Sequence, residues 1–121
     1  MKRLALALLA LALAACGGGG QGSATLKVTR DHGRRVLLTA RVPAGLTAMQ
    51  ALERKADVKT SYGGRFVVSI NGLASASHRD WFYFVNGVVE DRGATEVRLH
   101  DGDVEIWDYR RWRNAGEVQK P

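Results

Sequence analysis

From Ala24 the chain alternates with a period of two: Leu26, Val28 and Arg30 interleave with Thr25, Lys27 and Thr29, the signature of a half-buried strand. Asp31-His32-Gly33 follows as a turn, and Val36, Leu38, Ala40 and Val42 then share one face of a second strand, so the two runs predict a hairpin. Pro43-Ala44-Gly45 ends it. Thr47-Ala48-Met49-Gln50 has the form of a capping box, a hydroxyl at the N-cap and an amide three residues on. Ala48, Met49, Leu52 and Ala56 recur at helical spacing while Glu53, Arg54 and Lys55 face water. A short helix is expected there, with Arg54 and Lys55 at the negative end of its dipole.

Three further strands are predicted. Phe66 to Ile70 runs into Asn71-Gly72, Trp81 to Val85 runs into Asn86-Gly87, and Val104 to Tyr109 leaves Asp101-Gly102-Asp103; all three boundaries are turn-forming. Val97 to Leu99 adds a short edge strand. The order strand, strand, helix, three strands implies an α+β fold: a mixed sheet of about five strands with one helix packed across it. Along the fourth strand Trp81, Tyr83 and Val85 point one way and Phe82 and Phe84 the other. In the last strand Val104 and Ile106 suit a core under a small helix, which puts Trp107 and Tyr109, with Glu105, on the outer face. Aromatic residues of both strands would then form an exposed patch, the usual mark of a binding surface, unless the 72–80 loop or the tail with Trp112 covers it.

Ahead of the strands stand Lys2 and Arg3, twelve Leu and Ala residues from Leu4 to Ala15, then Cys16 and four glycines. This is the form of a secretory signal, and the run is shorter than the roughly 20 residues of a permanent membrane helix. Leu13-Ala14-Ala15-Cys16 resembles the lipobox of bacterial lipoproteins. The resemblance implies cleavage before Cys16, lipidation of Cys16 with a diacylglycerol and an acyl chain (the palmitate class of anchor), and a place on the extracytoplasmic face of the cell membrane. The expected organisation is a signal peptide over 1–15, a lipidated Cys and Gly-rich tether over 16–23, one folded domain over 24–113 and a disordered tail over 114–121. No second cysteine exists to form an internal disulfide.

Without Lys2 and Arg3, the 18 Lys and Arg fall to 16 against 12 Asp and Glu, a net charge of +4. The excess gathers at Arg34-Arg35 and at Arg110, Arg111, Arg113 and Lys120. Next to a membrane such clusters favour anionic headgroups or wall polymers. Arg110-Arg111-Trp112-Arg113 also has the cation–aromatic mix of single-strand nucleic-acid binders, but an exported domain rarely meets nucleic acid. His32, His78 and His100 are isolated and Asp101 and Asp103 lack the later acids of a calcium loop, so no metal site is expected. Ser75 and Ser77 near His78 come without a nucleophile elbow. An enzyme is not expected.

Three stretches in combination, Phe66-Val67-Val68-Ser69-Ile70-Asn71-Gly72, Trp81-Phe82-Tyr83-Phe84-Val85-Asn86-Gly87 and Asp101-Gly102-Asp103-Val104-Glu105-Ile106-Trp107, resemble the transcobalamin-like C-terminal domain family. Pro43 to Leu52 resembles the start of that family's helix. The resemblance spans roughly Leu26 to Tyr109 and implies a β-grasp order and a soluble-ligand-binding role. It points to a cobalamin-like molecule as the one cofactor to consider. In the animal vitamin B12 carriers of that family the domain covers one face of the corrinoid, and a larger helical domain, not found in this sequence, holds the other. The expected ligand-binding residues are Trp81 and Tyr83, or else their neighbours Phe82 and Phe84, extended by Trp107 and Tyr109, with Arg110 and Arg111 for an anionic group, and a monomer is expected. The competing expectation is an adhesion or scaffold module that binds another envelope protein or an anionic wall polymer, through an added strand at a sheet edge.

Overall fold

The computed structural model describes residues 22–89 and 92–113; the expected signal peptide over 1–15, Cys16, most of the expected tether and the expected disordered tail over 114–121 lie outside the described residues. Among the described residues the fold is mostly β with a single helix. Its strands are β1 (Ser23–Arg30), β2 (Arg35–Pro43), β3 (Val58–Ser61), β4 (Phe66–Ile70), β5 (Leu73–Ala74), β6 (Arg79–Val85), β7 (Val88–Val89) and β8 (Val104–Arg111), and α1 (Ala48–Lys55) lies between β2 and β3. They build two sheets, not the single sheet expected: a five-stranded one in the order β2-β1-β8-β6-β7 and a three-stranded one in the order β3-β4-β5. The larger sheet is mixed because β1 and β8 run parallel at its centre, while every other pair is antiparallel.

Local chemistry fixes most boundaries. Asn71-Gly72 and Asn86-Gly87 all have positive φ, 49° and 84° in the first pair and 54° and 78° in the second, the backbone of the two-residue turn whose twist matches a hairpin. They join β4 to β5 and β6 to β7. Thr47 caps α1 as expected: its Oγ1 accepts from the Gln50 N–H at 3.1 Å and the Gln50 side chain accepts from the Thr47 N–H at 2.9 Å. The next helix N–H groups donate to loop carbonyls, Ala48 to Val97 at 2.8 Å and Met49 to Ala94 at 3.0 Å. The stretch expected as an edge strand at Val97–Leu99 contributes only an isolated bridge between Thr47 and Arg98. In β2 the pairing slips between Val28 and Thr29, so Val28 faces Leu38 but Thr29 faces Val36 and Leu37 is left over. That bulge turns Val36 away from the face of Leu38, and Val36 and Leu37 are exposed.

The core lies between the larger sheet and a cover made jointly by α1 and the smaller sheet. Leu26 and Val28, Met49 and Leu52, and Val67 and Ile70 meet there with Trp81, Trp107 and Tyr109. The last strand therefore faces the opposite way from expectation: Glu105, Trp107 and Tyr109 are buried inward, and Val104 and Ile106 sit half-buried on the other side. The reason is the second sheet. It supplies volume that one small helix could not, and its carbonyls accept the polar atoms of the buried rings: the Trp81 indole donates to Leu73 O at 2.9 Å and the Tyr109 hydroxyl to Ala74 O at 2.8 Å. Buried Tyr and Trp need such partners. The cover over the aromatic face is thus the segment after Asn71-Gly72, and no open aromatic sheet face results.

The opposite face of the large sheet has its own centre at Asp108. Its carboxylate accepts from Thr29 Oγ1 at 2.6 Å, from the His32 and Gly33 N–H groups at 3.0 Å each, and from Arg110 Nε at 2.7 Å. The first three bonds hold the β1–β2 turn, where Asp31, His32 and Gly33 all have positive φ. The Arg110 guanidinium lies 4.9 Å from the centre of the Phe84 ring. No helix of the described residues is long and apolar enough to cross a membrane.

Candidate ligand-binding groove

A groove of about 850 Å³ opens where the β3–β4 hairpin overhangs β6. One wall is the hairpin tip. Tyr62, Gly63 and Gly64 all take positive φ there, a tight reversal two glycines make cheap. The reversal brings Tyr62 and Phe66 together edge to face with ring centres 5.6 Å apart. Tyr62 is 80% exposed and Phe66 60%, so neither ring is held by the core. The facing wall is the loop from Arg92 to Glu96, tied down by the Ala94 and Val97 carbonyls that receive the first helix N–H groups. The floor is Trp81, Tyr83 and Trp107. Tyr83 and Trp107 stack with centroids 4.8 Å apart and planes 17° from parallel, and the Tyr83 hydroxyl donates to the Arg92 carbonyl, which fixes the ring against the loop.

The groove is aromatic with sparse charge. Arg65 and Arg92 stand on its two walls, Glu96 joins Arg92 on the loop, and half-buried Asp80 lies near the floor. Asp80 is already engaged, since its Oδ1 accepts from Ser75 Oγ at 2.6 Å and from the Trp81 N–H at 2.8 Å. Such a surface offers aromatic area, chiefly from Tyr62, Phe66 and Tyr83, with one arginine on each wall. Among the described residues no three or more His, Cys, Asp or Glu side chains are placed to hold a metal ion, so the groove's own chemistry is stacking and hydrogen bonding.

Behind the floor lies Glu105, wholly buried, with Oε2 accepting from the Trp107 indole at 3.2 Å and Oε1 without a partner. Burial pushes its carboxyl up to about 8, and the Trp107 hydrogen bond offsets this only in part. The protonated form is therefore the resident one at neutral pH. At the far end of the sheet Asp103 shows the opposite balance. Burial alone would raise its carboxyl, but hydrogen bonds from the His100 N–H and Asn86, with the His100 charge beside it, hold it below its ordinary value. Together with Asp101, which accepts from the Ser23 N–H, and Gly102 at φ 86°, it forms the turn expected from Asp-Gly-Asp.

Of the residues expected to bind a ligand, the structure brings Trp81, Tyr83 and Trp107 to one groove. Tyr109 is not on that surface; it packs behind Trp81, ring centres 5.1 Å apart, with its hydroxyl on β5. Arg110 is buried in its pair with Asp108 and does not stand ready for an anion. Arg111 is exposed at the sheet end, opposite Arg79. Sequence reasoning missed Tyr62 and Phe66. The signal was there: two aromatics flanking Gly63-Gly64 cannot both find a core from so tight a turn.

Comparison with solved structures gives the same fold. Haptocorrin in complex with Cbi superposes with a TM-score of 0.58 at 14% identity, over 76% of this chain and 25% of that one. A Ruminococcus gnavus protein, provisionally described as metal binding, superposes at 0.55 and 13% identity over 77% of this chain and all of that one. At those identities the likeness is one of fold. No curated protein sequence matches the chain. Residues 45–111, more than half of the chain and all of it from the helix start to the end of β8, match the domain of unknown function DUF4430, and the protein belongs to that family.

Proposed function

We propose that this domain is a non-enzymatic binding module, exported and held by lipid at Cys16 on the extracytoplasmic face of the membrane, that takes a flat, corrinoid-like ligand in the groove. The observation that carries the reading is the groove itself: exposed Tyr62 and Phe66 overhang the stacked Tyr83–Trp107 pair. Rings left in water cost stability unless something covers them. The likeness to haptocorrin in complex with Cbi supports the reading, over 25% of that chain. The groove walls one side of such a ligand only, so a modest affinity is expected of the domain alone. A metal bound directly by the protein is not part of the reading; among the described residues no three His, Cys, Asp or Glu side chains are grouped to hold one.

The test is a fluorescence titration of the protein with cobinamide, read through Trp81 and Trp107. Saturable quenching is expected, lost in Tyr62→Ala/Phe66→Ala while the melting temperature stays within a few degrees, since both rings are largely exposed. Absence of quenching in the parent protein removes the corrinoid assignment.

One observation favours a second reading, an adhesion module that recruits a partner by strand addition. β2 is an outer strand of the large sheet and presents exposed Val36 and Leu37 beside its bulge, and an uncovered apolar edge is a template for pairing. Leu37→Lys separates the two: it leaves cobinamide binding intact and abolishes partner capture if the edge is the working surface.

A further inference from the structure

The register of the large sheet gathers arginines at one end, on one face. Arg30 of β1 stands directly opposite Arg35 of β2. Arg79 of β6 stands directly opposite Arg111 of β8. Tyr109, the parallel partner of Arg30 and two residues before Arg111, shows that both pairs share the inward face. The row therefore crosses four adjacent strands in a step: Arg35 and Arg30 share the rung of Tyr109, and Arg111 and Arg79 lie one rung of that face further out, about 16 Å end to end at about 4.8 Å per strand and about 6.6 Å for the step. Arg34 adds a fifth guanidinium from the exposed β1–β2 turn.

Like charges directly opposite one another destabilise a sheet, and here two such pairs lie side by side. Nothing among the described residues neutralises them: Arg30, Arg34, Arg35, Arg79 and Arg111 make no ion pair. Of the nearby acids, Asp108 is engaged by Arg110 and the turn and Asp80 by Ser75 and the Trp81 backbone, while Asp31 makes no ion pair with the row. Arg30 lies over the Tyr109 ring at 5.6 Å, and its Nε is buried without a hydrogen-bond acceptor.

We propose that this arginine row is a second binding site, separate from the aromatic groove, for a linear phosphate-bearing polymer. Guanidinium forks match phosphate oxygens in pairs, and two arginine pairs spread over four strands suit consecutive groups of a chain better than one isolated ion. The row also lies at the opposite end of β1 from Ser23, about 23 Å away along the strand. Resting on the anchor proposed above at Cys16, the row lies at the end of β1 away from the tether, which favours a polymer over that membrane's own headgroups.

The experiment titrates the full chain with long-chain inorganic polyphosphate across a salt series, beside vesicles containing anionic phosphatidylglycerol. The triple variant Arg35→Gln/Arg79→Gln/Arg111→Gln is compared with Arg54→Gln/Lys55→Gln/Lys59→Gln, which removes equal charge from α1 and β3. Saturable polyphosphate binding is expected, about tenfold or more weaker in the arginine-row variant and with a salt slope shallower by about 2. The row variant should melt no lower than the parent, since like-charge pairs are relieved. Equal loss in the two triple variants reduces the effect to net charge and overturns the site. So does a parent protein that binds the vesicles but not polyphosphate. Tyr62→Ala/Phe66→Ala should bind polyphosphate as the parent does, so failure of the groove reading leaves this one standing.

Discussion

Glu105 and Asp108 are three residues apart on β8, point to opposite faces, and are both wholly buried. Asp108 accepts four hydrogen bonds, one of them from a guanidinium. Glu105 accepts one and has an orphan oxygen. The difference separates two uses of a buried carboxyl. Asp108 is the hub of a turn and a charge pair, so its removal strands several donors at once. Glu105 is a neutral acid in a hydrophobic wall, and its proton is part of the packing.

That contrast can be broken most forcefully through pH. Glu105 binds its proton more tightly folded than unfolded, so it contributes full stability below its ordinary 4.5 and loses it as pH rises to about 8. At about 1.4 kcal/mol per pH unit the loss across that window is on the order of 5 kcal/mol. Urea denaturation at pH 5 and pH 8 should show it, and Glu105→Gln should flatten it. A parent protein equally stable at both would mean the carboxyl is not carried neutral. Next in size, Asp108→Ala removes the acceptor of Arg110 Nε, of the Thr29 hydroxyl and of two turn N–H groups. It should cost about 3–5 kcal/mol, with loosening of the β1–β2 turn visible in amide exchange at His32 and Gly33. The smallest effect sharpens the picture rather than breaking it. Thr29→Val deletes one of the four bonds to Asp108 and should cost about 1–2 kcal/mol; a loss as large as that of Asp108→Ala would make the hydroxyl, not the guanidinium, the dominant partner.

What depended on neighbours in sequence was readable in advance. The Asn-Gly hairpin turns, the Thr47–Gln50 capping box and the positions of β1, β2, β4, β6 and β8 rest on contacts a few residues long. What depended on distant chain was not. The facing of β8 could not be chosen from polarity, because Val-Glu-Ile-Trp-Asp-Tyr carries a carboxylate on each face. It is decided by Leu73 and Ala74, whose carbonyls satisfy Trp81 and Tyr109 from a second sheet. The same holds for Arg110, which as charge alone reads like Arg111 but is taken by Asp108 inside the fold. Three of the expected aromatics do line the groove, while the exposed pair that overhangs them sits on a hairpin whose place above β6 is a tertiary fact.

The parallel pairing of β1 with β8 has a mechanical consequence. The described chain enters at Ser23 and leaves past Arg111 at opposite ends of two neighbouring central strands. A pull between those points runs along both strands, so it loads their six-residue ladder from Thr25–Val104 to Arg30–Tyr109 in shear, all rungs together. A hairpin pulled from its open end would instead unzip one rung at a time. A domain tethered at one end and gripped at the other is thereby built to resist traction.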